Sequence, residues 1–374
     1  MKSYILQSFL VLKKYFFPND QKNEHFAALD GLRGFAVLLV LFSHAALLDL
    51  HPTGWFAMDG LGTYGVQLFF VLSAYLLDRQ IALVLMQGKA DMLYWLNYAL
   101  RRFLRIFPLF FLSLLLYCYL TVYVKGGMVF GHTITPKDIW QHLLLLKGEG
   151  FYWSIPVEFK YYFLSPFIMV VCHYWLKWDL RKVVPFFILL MLGTLAAKHS
   201  LNLSKISTTL YLNVFLVGTM LSVVELQKQT ELLALQKRYG WLIELVGILA
   251  LLAVFYSFKK DFNLAFKNAI LWGIVLFAAK YGYGIIRYVF SFAFLRLWGV
   301  ASFSAYLLHR AVLGYVKYIS PFPEKTKIWA FLLLALIAAL ISYLLIEKPL
   351  SNINLYKLLA KPSKKMLENK HKNQ

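Results

Sequence analysis

The chain has 374 residues, 60% of them apolar and only 15% charged, with 39 Lys and Arg against 18 Asp and Glu and a formal net charge of +21. A mean hydropathy of +0.62 is too high for a soluble domain of ordinary composition and reads as an all-α, polytopic membrane protein. The basic residues lie mostly in short segments between apolar runs and in the tail, which is how membrane orientation is encoded, so nucleic acid is not an expected partner. The two cysteines, Cys118 and Cys172, each sit inside an apolar run. That excludes a disulfide framework and argues against a thiolate metal site.

In chain order, the first segment, residues 1–27, holds a short apolar run from Ile5 to Leu12 followed by Lys13 and Lys14, with no small-residue cleavage site. It reads as an amphipathic helix on the inner membrane surface rather than a signal peptide. Apolar runs then predict ten spans near residues 28–48, 64–85, 106–124, 157–176, 183–197, 208–224, 241–258, 265–281, 297–318 and 328–346. The distribution of Lys and Arg between them puts both termini in the cytoplasm, and the first external loop, Asp49 to Thr63, contains neither residue. Residues 28–350 form the expected transmembrane unit, and residues 351–374 a basic cytoplasmic tail without catalytic interest. No internal repeat is visible, which counts against the common secondary-transporter architectures.

The first span, ALDGLRGFAVLLVLFSHAALL, carries Asp30, Arg33 and His44. Ionisable groups inside a span are costly and are functional candidates by default. Arg33 and His44 are eleven positions apart, so helical pitch returns them to within about 20° of one face, roughly 16 Å apart along the axis. That spacing suits a long substrate with a phosphate at one end and a reactive carbonyl at the other, in one shared tunnel. Asp30 has two readings, a helix cap paired with Arg33 or a functional carboxylate. One carboxylate cannot satisfy the five donors of Arg33, whose guanidinium suits phosphate.

The second span opens GTYGVQLFFVLSAYLL, where Gly62 and Gly65 allow close helix contact while Gln67 and Ser73 place polar groups among aromatics. The stretch RRFLRIFP follows, with Arg101, Arg102 and Arg105 ahead of Pro108. It is either a basic anchor at the inner interface or a holder of cofactor phosphates. In the fourth span, Trp153, Ser154 and Pro156 form an interfacial start, and Glu158 follows. Glu158 and Lys160 are two apart and do not face each other on a helix, so Glu158 is expected to find its partner on another helix, with His44 at a comparable depth. The ninth span holds Ser302, Ser304, Tyr306 and His309, either interhelical glue or the lining of a cavity. The tenth ends at Glu347, Lys348 and Pro349, which read as a structural stop. The remaining histidines, His25, His51, His132, His142, His173 and His199, lack spaced acidic or cysteine partners, so no metal site is expected.

Together these motifs resemble the acyltransferase 3 family of integral membrane acyltransferases: LDGLRGFAVLLVLFSH at 29–44, GVQLFFVLSAYLL at 65–77, RRFLRIFPLF at 101–110, WSIPVEFKYYFLSP at 153–166, SFSAYLLH at 302–309 and IEKP at 346–349. The sequence departs from the usual pattern at Phe26, Ala74, Lys160, Tyr161 and Leu308. The resemblance implies that Arg33 and His44 are the family's basic residue and histidine, with His44 needed for transfer. It also points to Glu158 and to Arg101, Arg102 and Arg105. The expected activity is O-acylation, acetyl being the simplest group, from acyl-coenzyme A to a hydroxyl of a cell-surface glycan or lipid-linked saccharide at a bacterial inner membrane. Arg33 and the Arg101–Arg105 cluster would hold the cofactor, and His44 would act as general base or carry the acyl group covalently. Glu158 would orient the His44 ring, with Asp30, Ser73, Trp153, Ser154 and His309 in support. A glycolipid or small-molecule transporter without acyl transfer is the alternative.

Overall fold

The computed structural model describes residues 24–52, 58–124, 133–256 and 265–359; the expected surface helix at the N-terminus and most of the basic tail lie outside them. Every regular element in these residues is helical. In order they are α1 (Glu24–Ala46), α2 (Leu61–Met86), α3 (Met92–Val122), α4 (Pro136–Leu143), a 3-10 turn (Gly150–Trp153), α5 (Ser154–Tyr174), α6 (Leu180–Ser200), α7 (Thr208–Tyr256) and α8 (Ala265–Tyr281). There follow α9 (Ile285–Phe290), α10 (Ala293–Val300), α11 (Ser302–Tyr318), α12 (Glu324–Ser342), a π-turn (Tyr343–Glu347), α13 (Lys348–Ser351) and α14 (Leu355–Leu359).

Seven helices among the described residues are long and apolar enough to cross a membrane. The difference from ten spans has local causes. The sixth and seventh expected spans both fall in α7, where two helices join across a kink with non-helical backbone at Lys228 and Tyr239. The eighth and ninth correspond to α8 and α11, each of 17 residues. The expected third span begins earlier than its apolar run, at Met92, because the Asp91 side chain accepts from the Tyr94 N–H at 2.7 Å and caps the helix there. Arg101, Arg102 and Arg105 are therefore on a helix that continues through Pro108. Nor does Pro349 stop the last helix. The helix runs on through it to Ser351, and the π-turn alters the hydrogen-bond register just ahead of it.

α1 is the axis of the bundle. Its glycines face backbone, not side chains: a Cβ on Gly34 would stand 1.8 Å from the Leu295 carbonyl oxygen, and one on Gly299 of α10 would stand 1.8 Å from the Asp30 carbonyl oxygen. Small residues at such a crossing let two helices touch backbone to backbone, which strengthens van der Waals packing where lipid supplies no hydrophobic drive. Asp30 lies in the second turn of α1, so it is not the helix cap that one reading of the sequence made it.

Buried polar groups tie the other helices together. Asp78 of α2 is fully buried and accepts from Tyr161 (2.5 Å), Thr219 (2.6 Å) and Ser165. Its two oxygens thereby join α2, α5 and α7. Glu225 of α7 takes Lys280 of α8 at 2.6 Å and also accepts from Tyr75 of α2. A carboxylate away from water is tolerated when hydroxyls or cations satisfy it, and both clusters meet that condition.

Candidate active site

Two cavities adjoin at the centre of the bundle. The first, of about 290 Å³, is lined by Arg33, Arg101, Arg102, Arg105, Glu158 and Glu347 among others. The second, of about 460 Å³, contains His44, Trp153 and Arg310. Val66 and Tyr306 line both. Helical pitch does carry Arg33 and His44 of α1 into neighbouring interior spaces. Between the two side chains lie two adjoining cavities that share Val66 and Tyr306 in their common wall. Tyr306 is fixed in that wall, because its hydroxyl meets the Ser154 hydroxyl at 2.8 Å and donates to the Phe151 carbonyl.

In the basic cavity, Arg33 reaches Ser302 of α11 at 3.5 Å, with Asp30 and Glu158 as its electrostatic carboxylate neighbours. Asp30 lines neither cavity. Arg105 faces Glu347 at 3.6 Å. Glu347 is held in turn by the Ser304 backbone N–H at 3.0 Å and by the Ser304 hydroxyl. Arg102 stacks its guanidinium over the rings of Tyr98 and Tyr162, at 5.6 and 5.5 Å, a cation–π arrangement that fixes it without neutralising it. Arg101 is exposed at the same cavity. Four cations thus meet two carboxylates, leaving a positive surplus suited to an anionic ligand.

Glu158 Oε1 accepts from the hydroxyls of Ser73 and Tyr162, both at 2.7 Å. The expected Glu158–His44 pair is replaced by another: His44 Nδ1 and His309 Nε2 are 2.7 Å apart, with the rings nearly parallel at 11°. The reason is the depth of α5, which delivers Glu158 to the basic cavity on the far side of Tyr306. His309 is fully buried, and its Nδ1 lies 2.6 Å from the Tyr306 carbonyl oxygen. A carbonyl can only accept, so Nδ1 of His309 carries the proton and Nε2 of the neutral ring carries a lone pair. His44 Nδ1 must then donate, which leaves its lone pair on Nε2.

Sequence reasoning passed over three residues here. Glu347 looked like a helix stop, Tyr306 like one of several polar residues, and Arg310 drew no reading. For Glu347 and Arg310 the available signal was the cost of an ionised group in an apolar run. Tyr306 offered none.

A loop outside the spans supports the second cavity. Thr135 and Asp138 form a capping box at the start of α4, and Lys147 bridges Asp138 (2.6 Å) and Glu149 (2.8 Å). The buried His142 ring donates from Nδ1 to the Asp138 carbonyl at 2.8 Å and accepts the Glu149 N–H at Nε2, 3.4 Å away. This fixes the turn that supplies Gly150, Phe151 and Trp153 to the cavity. Burial holds the His142 imidazole below its ordinary value, whereas hydrogen bonds from Lys147 and Thr135 hold the Asp138 carboxyl well below the usual carboxylate range. The neutral ring therefore stabilises the loop fully above an unfolded value of about 6.5, and that contribution is lost as pH falls from there through the lowered folded value. Asp138 stays ionised throughout that window. Hydrogen exchange of residues 136–149 is expected to accelerate between pH 7.5 and 5.5 in the parent and not in His142→Gln; equal pH dependence in both would refute the assignment.

A helical bundle that keeps guanidinium groups and an imidazole pair in adjoining interior cavities defines an integral membrane protein with a polar site inside its apolar body. The acyltransferase 3 family model, described as an acyltransferase domain, matches residues 26–347. The chain belongs to this family and is a membrane acyltransferase. No curated protein and no solved structure matches it.

Proposed function

We propose that the protein is an O-acyltransferase, with acetyl as the simplest acyl group, moving it from acyl-coenzyme A to a hydroxyl of a cell-surface glycan or lipid-linked saccharide in a bacterial inner membrane. The observation that carries this reading is the pairing of a cation-rich cavity and a histidine cavity on either side of Tyr306, each reached from α1. Arg101, Arg102 and Arg105 would take the cofactor's phosphates at the cytoplasmic mouth. Arg33 would draw the chain inward, and the acyl thioester would end against Tyr306. The aromatic surfaces of Trp153 and Phe151 would hold the acceptor sugar on the outer side.

In the reaction, Nε2 of His44 removes the acceptor hydroxyl proton as the oxygen attacks the thioester carbonyl carbon. The C–O bond forms, the C–S bond breaks, and the proton passes to the departing thiolate. His309 holds the His44 tautomer and accepts the Nδ1–H bond throughout. Ser73 and Ser154 line the basic cavity; each already gives its proton to Glu158 or to Tyr306, so either would have to turn from that partner to donate to the developing oxyanion. Glu158 holds Ser73 and Tyr162 in place rather than touching the imidazole.

Arg33→Ala is expected to weaken coenzyme A binding by about 10- to 100-fold, the worth of a charge-assisted phosphate contact. A thermal-shift titration of the detergent-solubilised protein with coenzyme A reads this directly. Equal affinity in parent and variant would remove Arg33 from the cofactor site. Vesicle uptake of a labelled glycolipid without any coenzyme A release would favour the transporter reading.

A further inference from the structure

The histidine cavity has a charge imbalance that acyl transfer to a neutral sugar does not explain. Among the described residues lining it, Arg310 is the fixed charge and there is no Asp or Glu. Arg310 lies midway along α11 and is half-buried, and its Nη1 is buried without a hydrogen-bond partner. Its electrostatic neighbours are the phenols of Tyr117 and Tyr318. The Tyr117 hydroxyl is already committed, donating to the Leu307 carbonyl (3.3 Å) and accepting the Ala311 N–H (2.9 Å).

Several other cations of the molecule have a carboxylate. Lys327 and Lys317 share Glu324, at 2.6 and 3.6 Å. Arg105 has Glu347, and Arg79 has Glu225 at 3.3 Å. An inward-facing guanidinium without a carboxylate costs several kcal/mol in general and is retained where something supplies the missing anion. A guanidinium also offers parallel N–H donors that match a carboxylate or phosphate in a fork, which an ammonium cannot do.

We propose that Arg310 reads the acceptor, and that the acceptor carries an anionic group, a carboxylate or a phosphate, close to the hydroxyl that is acylated. This rests on the acyl-transfer reading above, with the histidine cavity as the acceptor side. The anion would anchor on Arg310 while the hydroxyl turns to Nε2 of His44, so that charge fixes which hydroxyl is presented. It would also bring negative charge beside the imidazole pair at the moment that pair takes up a proton.

The test uses the full-length protein in detergent with three probes, glucuronate, glucose 6-phosphate and glucose. Thermal-shift titration measures binding, and thiol release from acetyl-coenzyme A measures turnover. Stabilisation of the parent by glucuronate or glucose 6-phosphate at concentrations about tenfold or more below those needed with glucose supports the inference, and which of the two acts distinguishes a carboxylate acceptor from a phosphate one. Arg310→Gln should erase that difference while leaving the response to acetyl-coenzyme A intact, and Arg310→Lys should retain part of it. The inference is overturned if the parent responds alike to all three probes, a comparison that needs no variant, or if Arg310→Gln weakens all three equally. Failure of acetyl-coenzyme A itself to stabilise the parent would sink the acyl-transfer reading and this inference with it. A normal cofactor response without preference for anions sinks only the inference.

Discussion

Replacing His44 with alanine or glutamine is expected to lower acyl transfer by about 10²- to 10⁴-fold, the usual contribution of a positioned general base. The affinity for coenzyme A should be unchanged, because His44 lines the cavity on the other side of Tyr306 from the arginines. Glutamine is the more informative substitution, since its amide can still donate to His309 Nε2 and keep the pair's geometry while lacking a base. His309→Gln should also lower kcat with little effect on the donor KM, because it no longer dictates which nitrogen of His44 holds the proton. Coenzyme A release and mass spectrometry of the modified glycan are the readouts. Unaltered modification by His44→Gln at normal expression would take His44 out of the mechanism.

Gly34→Ala is expected to be strongly destabilising. The added carbon would meet the Leu295 carbonyl oxygen at 1.8 Å and the Gly299 nitrogen at 2.9 Å. Neither atom can rotate away, since both belong to the backbone of α10. α1 and α10 would have to separate, carrying Arg33 away from Ser302, and the cost should exceed the roughly 1–3 kcal/mol of ordinary overpacking. Gly193→Ala in α6 is the control: its Cβ would meet nothing within 4 Å, and alanine favours the helix by about 1 kcal/mol. Thermal unfolding in detergent should separate the two clearly. Equal melting of both variants would mean that the α1–α10 contact is not as close as described.

Tyr306 gives the two cavities a shared consequence. Tyr306, pinned by Ser154 and Phe151, lines both; under the proposed reaction it would stand where donor and acceptor meet, and excluding water there would favour transfer over hydrolysis. The loop held by His142 acts on the same place from outside, because it carries Phe151.

The sequence by itself determined the helical membrane class, the family-level motifs and the common direction of Arg33 and His44. Those properties are local: apolar run length fixes a span, and a pitch of about 3.6 residues fixes which side chains of one helix point together. The sequence could not assign partners across the bundle. His44 meets His309 rather than Glu158, Arg105 meets Glu347, and Tyr306 lines both cavities. Each of these joins residues far apart in the chain, and each depends on the rotation and depth of one helix against another. Backbone approach at Gly34 and Gly299 and the buried carboxylate clusters set that rotation and depth, and such contacts exist only once the helices have packed.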